Sequence, residues 1–183
     1  MAPLLTLSAW IDRLNAAVGR TIYWLVVVMV VISAGNAVVR YTLNTSSNAW
    51  LEIQWYLFSA VFMLASGYTL LRNEHIRIDV VTGRFSRRTQ VWIDVIGTSL
   101  FLIPMAAMIL WLSIPMFETS FLSGEQSSDA GGLIRWPVKL MIPLGFSLLL
   151  LQAVSELIKR VAFLAGVTDD PGIPAHSHHG AQE

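Results

Sequence analysis

Four long runs of apolar residues, separated by short polar segments, dominate the chain. They cover residues 21–39, 50–71, 91–116 and 137–158. An α-helix rises about 1.5 Å per residue, so each run is long enough to cross roughly 30 Å of hydrocarbon. Backbone groups cannot stay unpaired in lipid, and runs of this length therefore predict transmembrane helices. The pattern predicts an all-α integral membrane protein with four transmembrane helices.

Residues 6–18 have a different pattern, with apolar residues at helical spacing and polar residues between them. The apolar positions are Leu7, Trp10, Ile11, Leu14 and Val18. This pattern predicts an N-terminal amphipathic helix lying in the membrane interface, with Trp10 at the acyl boundary. An extension of the first span is the alternative interpretation.

The segment between the second and third runs, residues 72–88, reads RNEHIRIDVVTGRFSRR and contains five arginines. Charged residues cost about 2.5–3.5 kcal/mol each at the centre of a spanning helix, so this segment must lie outside the hydrocarbon. Short arginine-rich loops favour the cytoplasmic side. We therefore expect this loop and both termini to be cytoplasmic, and segments 41–48 and 117–135 to be periplasmic.

Composition supports a membrane protein and excludes several other classes. Of 183 residues, 55% are hydrophobic and 13% are charged, which is too apolar for an ordinary soluble domain. The formal net charge is zero, and the charges cluster in loops and at the ends of the spans without forming a basic face, so nucleic acid is not an expected partner. The absence of cysteine excludes disulfides and thiolate sites. Residues 1–166 are predicted to form the membrane domain. The tail 167–183, rich in Pro, Gly and His, is predicted to be disordered.

Chemistry-bearing residues are scarce in the four predicted spans, which contain neither histidine nor cysteine. We therefore predict no catalytic, cofactor-binding or metal site, and the tail histidines lack a scaffold for a metal. The spans also lack mid-depth charges, which a self-sufficient transporter would use to bind ions. These features favour a helical subunit that supports another protein.

A few polar residues near the ends of the spans have candidate roles. Glu52, Gln54 and Tyr56 lie in the first turns of the second span, where contact with a partner near the outer interface competes with simple exposure of Glu52 to headgroup water. Glu156 is spaced three and four residues from Lys159 and Arg160, which predicts a local ion pair at the end of the last helix. Proline 104 is expected to kink the third span.

The stretch LEIQWYLFSAVFMLASGYTLLRNEHIRIDVV resembles the second span and cytoplasmic loop of the small membrane subunit of tripartite ATP-independent periplasmic (TRAP) transporters. The matching loop motif consists of Arg72, Glu74, His75, Arg77 and Asp79. Residues 142–146 and Gln152 resemble the last span of the same family. The Gly131-Gly132-Leu133 segment is similar to a subgroup associated with oxo acids and related carboxylates.

The resemblance implies a sodium-coupled importer of the bacterial inner membrane. In this family a periplasmic substrate-binding protein delivers an organic acid, a large membrane subunit transports it, and the small subunit serves as a scaffold and helps dock the binding protein. The loop motif would then have a structural role in assembly. The alternative is a four-span anchor or assembly subunit of a membrane enzyme complex.

Overall fold

The computed structural model describes residues 1–45, 47–72 and 85–168. These residues form helices and connecting turns, and no β-strand occurs within them, which confirms the all-α prediction. The helices are α1 (Ala2–Leu43), α2 (Asn48–Leu71), α3 (Arg87–Gly97), α4 (Ile103–Ser123) and α5 (Trp136–Leu164). A π-helical turn, Thr98–Leu102, joins α3 to α4.

Helix α1 is continuous over 42 residues. The predicted interfacial helix 6–18 and the predicted span 21–39 are parts of this one helix, so the structure matches the alternative of an extended first span. No proline interrupts residues 15–25, and Gly19 is accommodated in the helix because it packs against another helix. At about 1.5 Å per residue α1 is roughly 63 Å long, about twice the hydrocarbon thickness, so part of it must lie outside that layer.

Three helical segments are long and apolar enough to cross a membrane: α1, the continuous segment Arg87–Ser123, and α5. Helix α2, with 24 residues, is not among them, and its first turns carry the polar residues Glu52 and Gln54. The prediction of four spans is therefore supported for three helices and stays a prediction for α2.

Some helix boundaries differ from the predicted ones, because the backbone conformation there ends the helix. Helix α4 continues to Ser123 and ends at Gly124, which has a left-handed conformation with φ 60°. The outer connection is consequently 124–135 rather than 117–135. Ile103, whose N–H donates to the Thr98 carbonyl, separates the π-helical turn from Pro104. The irregular backbone thus lies just before the proline.

Helix α5 is the centre of the bundle and contacts α1, α2, α3 and α4. In its most apolar stretch 33% of the residues are buried, compared with 6% for α1 and for Arg87–Ser123. The other helices consequently present broad apolar surfaces outward. Large exposed side chains on these surfaces include Trp24, Phe62, Phe101, Met108 and Trp111.

Candidate functional site

A polar network joins the N-terminal half of α1 to the C-terminal half of α5. The carboxylate of Asp12 is its centre: Oδ1 accepts from Gln152 Nε2 at 2.8 Å and from Ser155 Oγ at 2.7 Å. The other oxygen, Oδ2, accepts from Lys159 Nζ at 3.1 Å. One carboxylate on α1 is thus bound by three donors from successive turns of α5.

Two further pairs extend this contact in both directions along the helices. Asn15 Nδ2 donates to Gln152 Oε1 at 3.0 Å, and the hydroxyls of Ser8 and Ser155 share a hydrogen bond of 2.7 Å. All four side chains are almost fully buried. Buried polar groups are costly unless they are paired, so these contacts fix one register between α1 and α5.

The network reaches α3 through Arg160, which is 8% exposed. Its guanidinium forms an ion pair with Asp94 of α3 and lies 3.5 Å from Glu156 Oε2. Lys159 also pairs with Glu156. The local ion pairs predicted from spacing are therefore present. The prediction was incomplete, because Lys159 and Arg160 also connect α5 to α1 and α3.

Close helix packing accompanies these polar contacts. A Cβ atom added at Gly145 of α5 would lie 2.6 Å from the Met63 carbonyl oxygen of α2. One added at Gly67 of α2 would lie 2.2 Å from Asn15 Oδ1 of α1. Glycines at these two positions allow the backbones to approach closely, as small residues do in membrane helix pairs.

The three polar residues predicted near the outer interface make contacts within the chain. Glu52 accepts a hydrogen bond from Leu133 N–H at 2.6 Å and another from the Ser127 hydroxyl. Tyr56 donates to the Ile134 carbonyl at 2.9 Å. These bonds attach the 124–135 connection to the start of α2.

Gln54 instead faces α1, where its Oε1 accepts from Ser33 Oγ at 2.9 Å. Its amide nitrogen donates to the Trp50 carbonyl at 3.0 Å, within its own helix. Gln54 therefore contributes to packing between α1 and α2. Contact of Glu52, Gln54 or Tyr56 with another protein stays a prediction.

An ion pair between Glu125 and Lys139 fixes the 124–135 connection to the first turn of α5. The hydrogen bond from Lys139 stabilises the charged form of Glu125 and lowers the pKa of that carboxyl below its ordinary value. The Arg135 N–H also donates to the Glu125 carbonyl at 2.8 Å. Both ends of the connection are thus held by specific contacts.

The predicted loop motif is described only at Arg72, whose backbone N–H caps α2 by donating to Tyr68 and Leu70 carbonyls. Arg72 Nε donates to the Tyr68 hydroxyl at 3.0 Å. The other four motif residues, Glu74, His75, Arg77 and Asp79, lie outside the described residues. The histidines of the tail lie outside them as well. Among the described residues no group of three His, Asp or Glu side chains could hold a metal ion.

A comparison with protein families identifies the family of the chain. The family described as "Tripartite ATP-independent periplasmic transporters, DctQ component" matches residues 29–163. The chain belongs to the DctQ family. Among curated proteins and solved structures, no match is found.

The DctQ match covers α2 to α4 and nearly all of α5, but it begins in the middle of α1. The α5 half of the polar network therefore lies in the family region, whereas Ser8, Asp12 and Asn15 lie before it. Sequence reasoning missed these three as contact residues. These three residues are spaced four and three positions apart, which places them on one face of a helix. Gln152 and Ser155 form a second polar face on α5, so the two faces were a usable signal for a contact between the helices.

Proposed function

We propose that this chain is the small permease subunit of a sodium-coupled TRAP transporter and that it scaffolds the large transport subunit. The observation that carries the proposal is the DctQ match over residues 29–163. Sodium coupling and an organic acid as substrate follow from the resemblance of the loop motif and of Gly131-Gly132-Leu133. The large subunit and a periplasmic binding protein are the proposed partners.

The geometry supports a scaffold rather than a transport pathway. Asp12, Lys159 and Arg160 are used in contacts between helices of this chain, and the outward surfaces of the spanning helices are apolar. Such surfaces suit lipid and a neighbouring membrane protein. In this proposal α2 is the fourth span, since it contacts both α1 and α5 along the bundle.

The outer connection 124–135 is the proposed docking element for the binding protein. Glu52 and Tyr56 hold it from α2, and Lys139 holds it from α5. A connection held from two helices presents a defined surface to a soluble partner. Glu52, Gln54 and Tyr56 would then act mainly by positioning this surface.

Reconstitution in liposomes with a sodium gradient tests the proposal. The chain alone should give no uptake of a carboxylate, whereas the chain with its large subunit and binding protein should. In this proposal the loop motif packs against the large subunit, so Arg77→Ala should lower uptake and recovery of the complex, because removing one partner of a charge pair desolvated there would cost about 3–5 kcal/mol. Affinity of the separate binding protein should not change, and Arg13→Ala is the matched control.

Two results would contradict the proposal. One is robust uptake by the chain alone. The other is co-purification with a quinone enzyme instead of a large membrane subunit, which would favour the alternative of an anchor for an enzyme complex. Normal assembly of both Arg77→Ala and Asp79→Ala would overturn only the assembly role of the loop motif.

A further inference from the structure

We propose that one exposed face of the helical segment Arg87–Ser123 binds a transmembrane helix of the large subunit, an inference that rests on the proposed function. This outward proline face consists of five exposed residues, Leu100, Pro104, Met108, Trp111 and Pro115. They are spaced four, four, three and four positions apart along the sequence, so they share one side of the helix.

The outward proline face is turned away from the rest of the bundle. The buried residues of α4 are Ala106, Ser113 and Ser120, and α4 packs against α5. These three residues follow one another at intervals of seven positions, which is close to two helical turns, so they also share a side. That side lies opposite the outward proline face, which leaves the face available to another molecule.

The outward proline face lies within the hydrocarbon layer. Between Asp94 and Glu118 the segment carries no charged residue, and this stretch, 95–117, is roughly 34 Å long at about 1.5 Å per residue. Asp94 forms an ion pair with Arg160 at the inner end of the bundle. Pro104 consequently lies near the middle of the bilayer.

The two prolines leave backbone carbonyls without their usual donors. In an α-helix residue 104 donates to the Leu100 carbonyl and residue 115 donates to the Trp111 carbonyl. Proline has no N–H, so both carbonyls lose this hydrogen bond. Both freed carbonyls belong to residues of the outward proline face.

The helix itself does not replace these donors. At the π-helical turn the Ile103 N–H donates to the Thr98 carbonyl. Near the second proline the Ser113 hydroxyl donates to the Leu110 carbonyl at 2.8 Å. Among the described contacts no side chain donates to either freed carbonyl.

A protein helix satisfies this face, whereas lipid tails do not. Acyl chains have no hydrogen-bond donor, and freed backbone groups at membrane depth are tolerated where neighbouring helices cover them. The freed carbonyls are eleven positions apart, or about 16 Å along the helix. The partner helix should therefore place hydroxyl, amide or indole donors at about this separation.

Helix α1 offers a matched surface without these features. Its uncharged stretch, 21–39, lies between Arg20 and Arg40 and contains no proline, and Val30 near its middle is 57% exposed. A regular helix has no freed carbonyl at this depth, so lipid tails suffice to cover it. We therefore expect the large subunit at the outward proline face and lipid at Val30.

Photo-crosslinking in membranes tests this inference, because the chain contains no cysteine of its own. The chain is co-expressed with its large subunit, and Leu100→Cys, Met108→Cys or Val30→Cys is labelled with benzophenone maleimide and illuminated. We expect a product joined to the large subunit from positions 100 and 108 and none from position 30. With co-purification retained, the inference would be overturned by absence of this product at both 100 and 108, or by as much product at 30 as at 100.

A tryptophan pair gives a second test with matched exposure, since Trp111 is 76% exposed and Trp24 on α1 is 72% exposed. Trp111→Ala should lower recovery of the complex about ten-fold, as buried interface tryptophans do, while the melting temperature of the isolated chain is retained. Trp24→Ala should leave recovery unchanged. Equal recovery of the two variants would also overturn the inference. Failure of the wild-type chain to co-purify with the large subunit would instead contradict the proposed function.

Discussion

Polar residues at the contact between α1 and α5 specify how these two helices pack. Gln152 is fully buried and contacts Asn15, Asp12 and Glu156. Because its amide both donates and accepts, no apolar side chain can replace it without leaving neighbouring groups unpaired. The side chain therefore specifies which turn of α5 faces which turn of α1.

Replacing Gln152 by leucine should lower the free energy of unfolding by about 1–3 kcal/mol, because the buried amide of Asn15 loses its partner. Reversible unfolding in detergent measures this loss. In a double-mutant cycle with Asn15→Leu, the coupling energy should be about 0.6–1.7 kcal/mol. Thr21→Val is the control partner, since the Thr21 hydroxyl bonds only the Ala17 carbonyl of its own helix among the described contacts. A coupling of zero between Asn15 and Gln152 would refute the pairing.

At the scale of elements, helix separation depends on glycine at particular positions. Alanine at position 145 would place its Cβ against the Met63 backbone, so α2 and α5 must separate. We expect Gly145→Ala to destabilise the bundle by about 1–3 kcal/mol, although alanine has the higher helix propensity. Gly35→Ala is the matched control, because its Cβ meets no atom within 4 Å. Equal unfolding free energies for the two variants would contradict the packing argument.

The outer connection is an element whose order depends on charge. The Lys139 hydrogen bond lowers the pKa of Glu125, so this contact stabilises the fold above the ordinary glutamate pKa of about 4.3 and is lost as pH falls through the lowered value. A carboxyl NMR titration should show the pKa of Glu125 rising in Lys139→Gln and staying low in Lys139→Arg. The contact would be disproved by the same pKa in the wild type and Lys139→Gln.

The sequence predicted these elements well and their contacts poorly. Apolar runs are local signals, so the runs at 91–116 and 137–158 lie within the observed helices Arg87–Ser123 and Trp136–Leu164. The pairing of Asp12 with Gln152 joins positions 140 residues apart, and the polar spacing on each helix does not by itself specify which helix it meets. A polar face on an amphipathic helix looks the same in sequence whether it meets water or another polar helix. The polar face of the predicted amphipathic helix meets α5 in part.

At the scale of the whole molecule, the membrane boundary must divide α1 into a part inside the hydrocarbon and a part outside it. The half of α1 beyond Arg20 carries Asp12 and Asn15, which bind α5, and the DctQ match begins only at residue 29. A helix that leaves the hydrocarbon while still bonded to α5 extends the bundle beyond the bilayer. This extension lies on the same side of the bundle as Arg72.

The arginine-rich loop predicts the orientation of the whole bundle, and single cysteines test this prediction because the chain has none of its own. Cysteines replace Ser47, Ser86 and Ser128, which are exposed and lie before α2, before α3 and in the outer connection. In intact cells a membrane-impermeant thiol reagent should label positions 47 and 128 but not 86, and permeabilised cells should give labelling at all three. Position 128 is preferred to 127 because the Ser127 hydroxyl binds Glu52. Labelling at 86 alone would invert the orientation. A third outcome is labelling at 128 but at neither 47 nor 86. It would mean that α2 does not cross the membrane in the proposed way. Helix α2 is the helix whose apolar content leaves the number of spans open among the described residues.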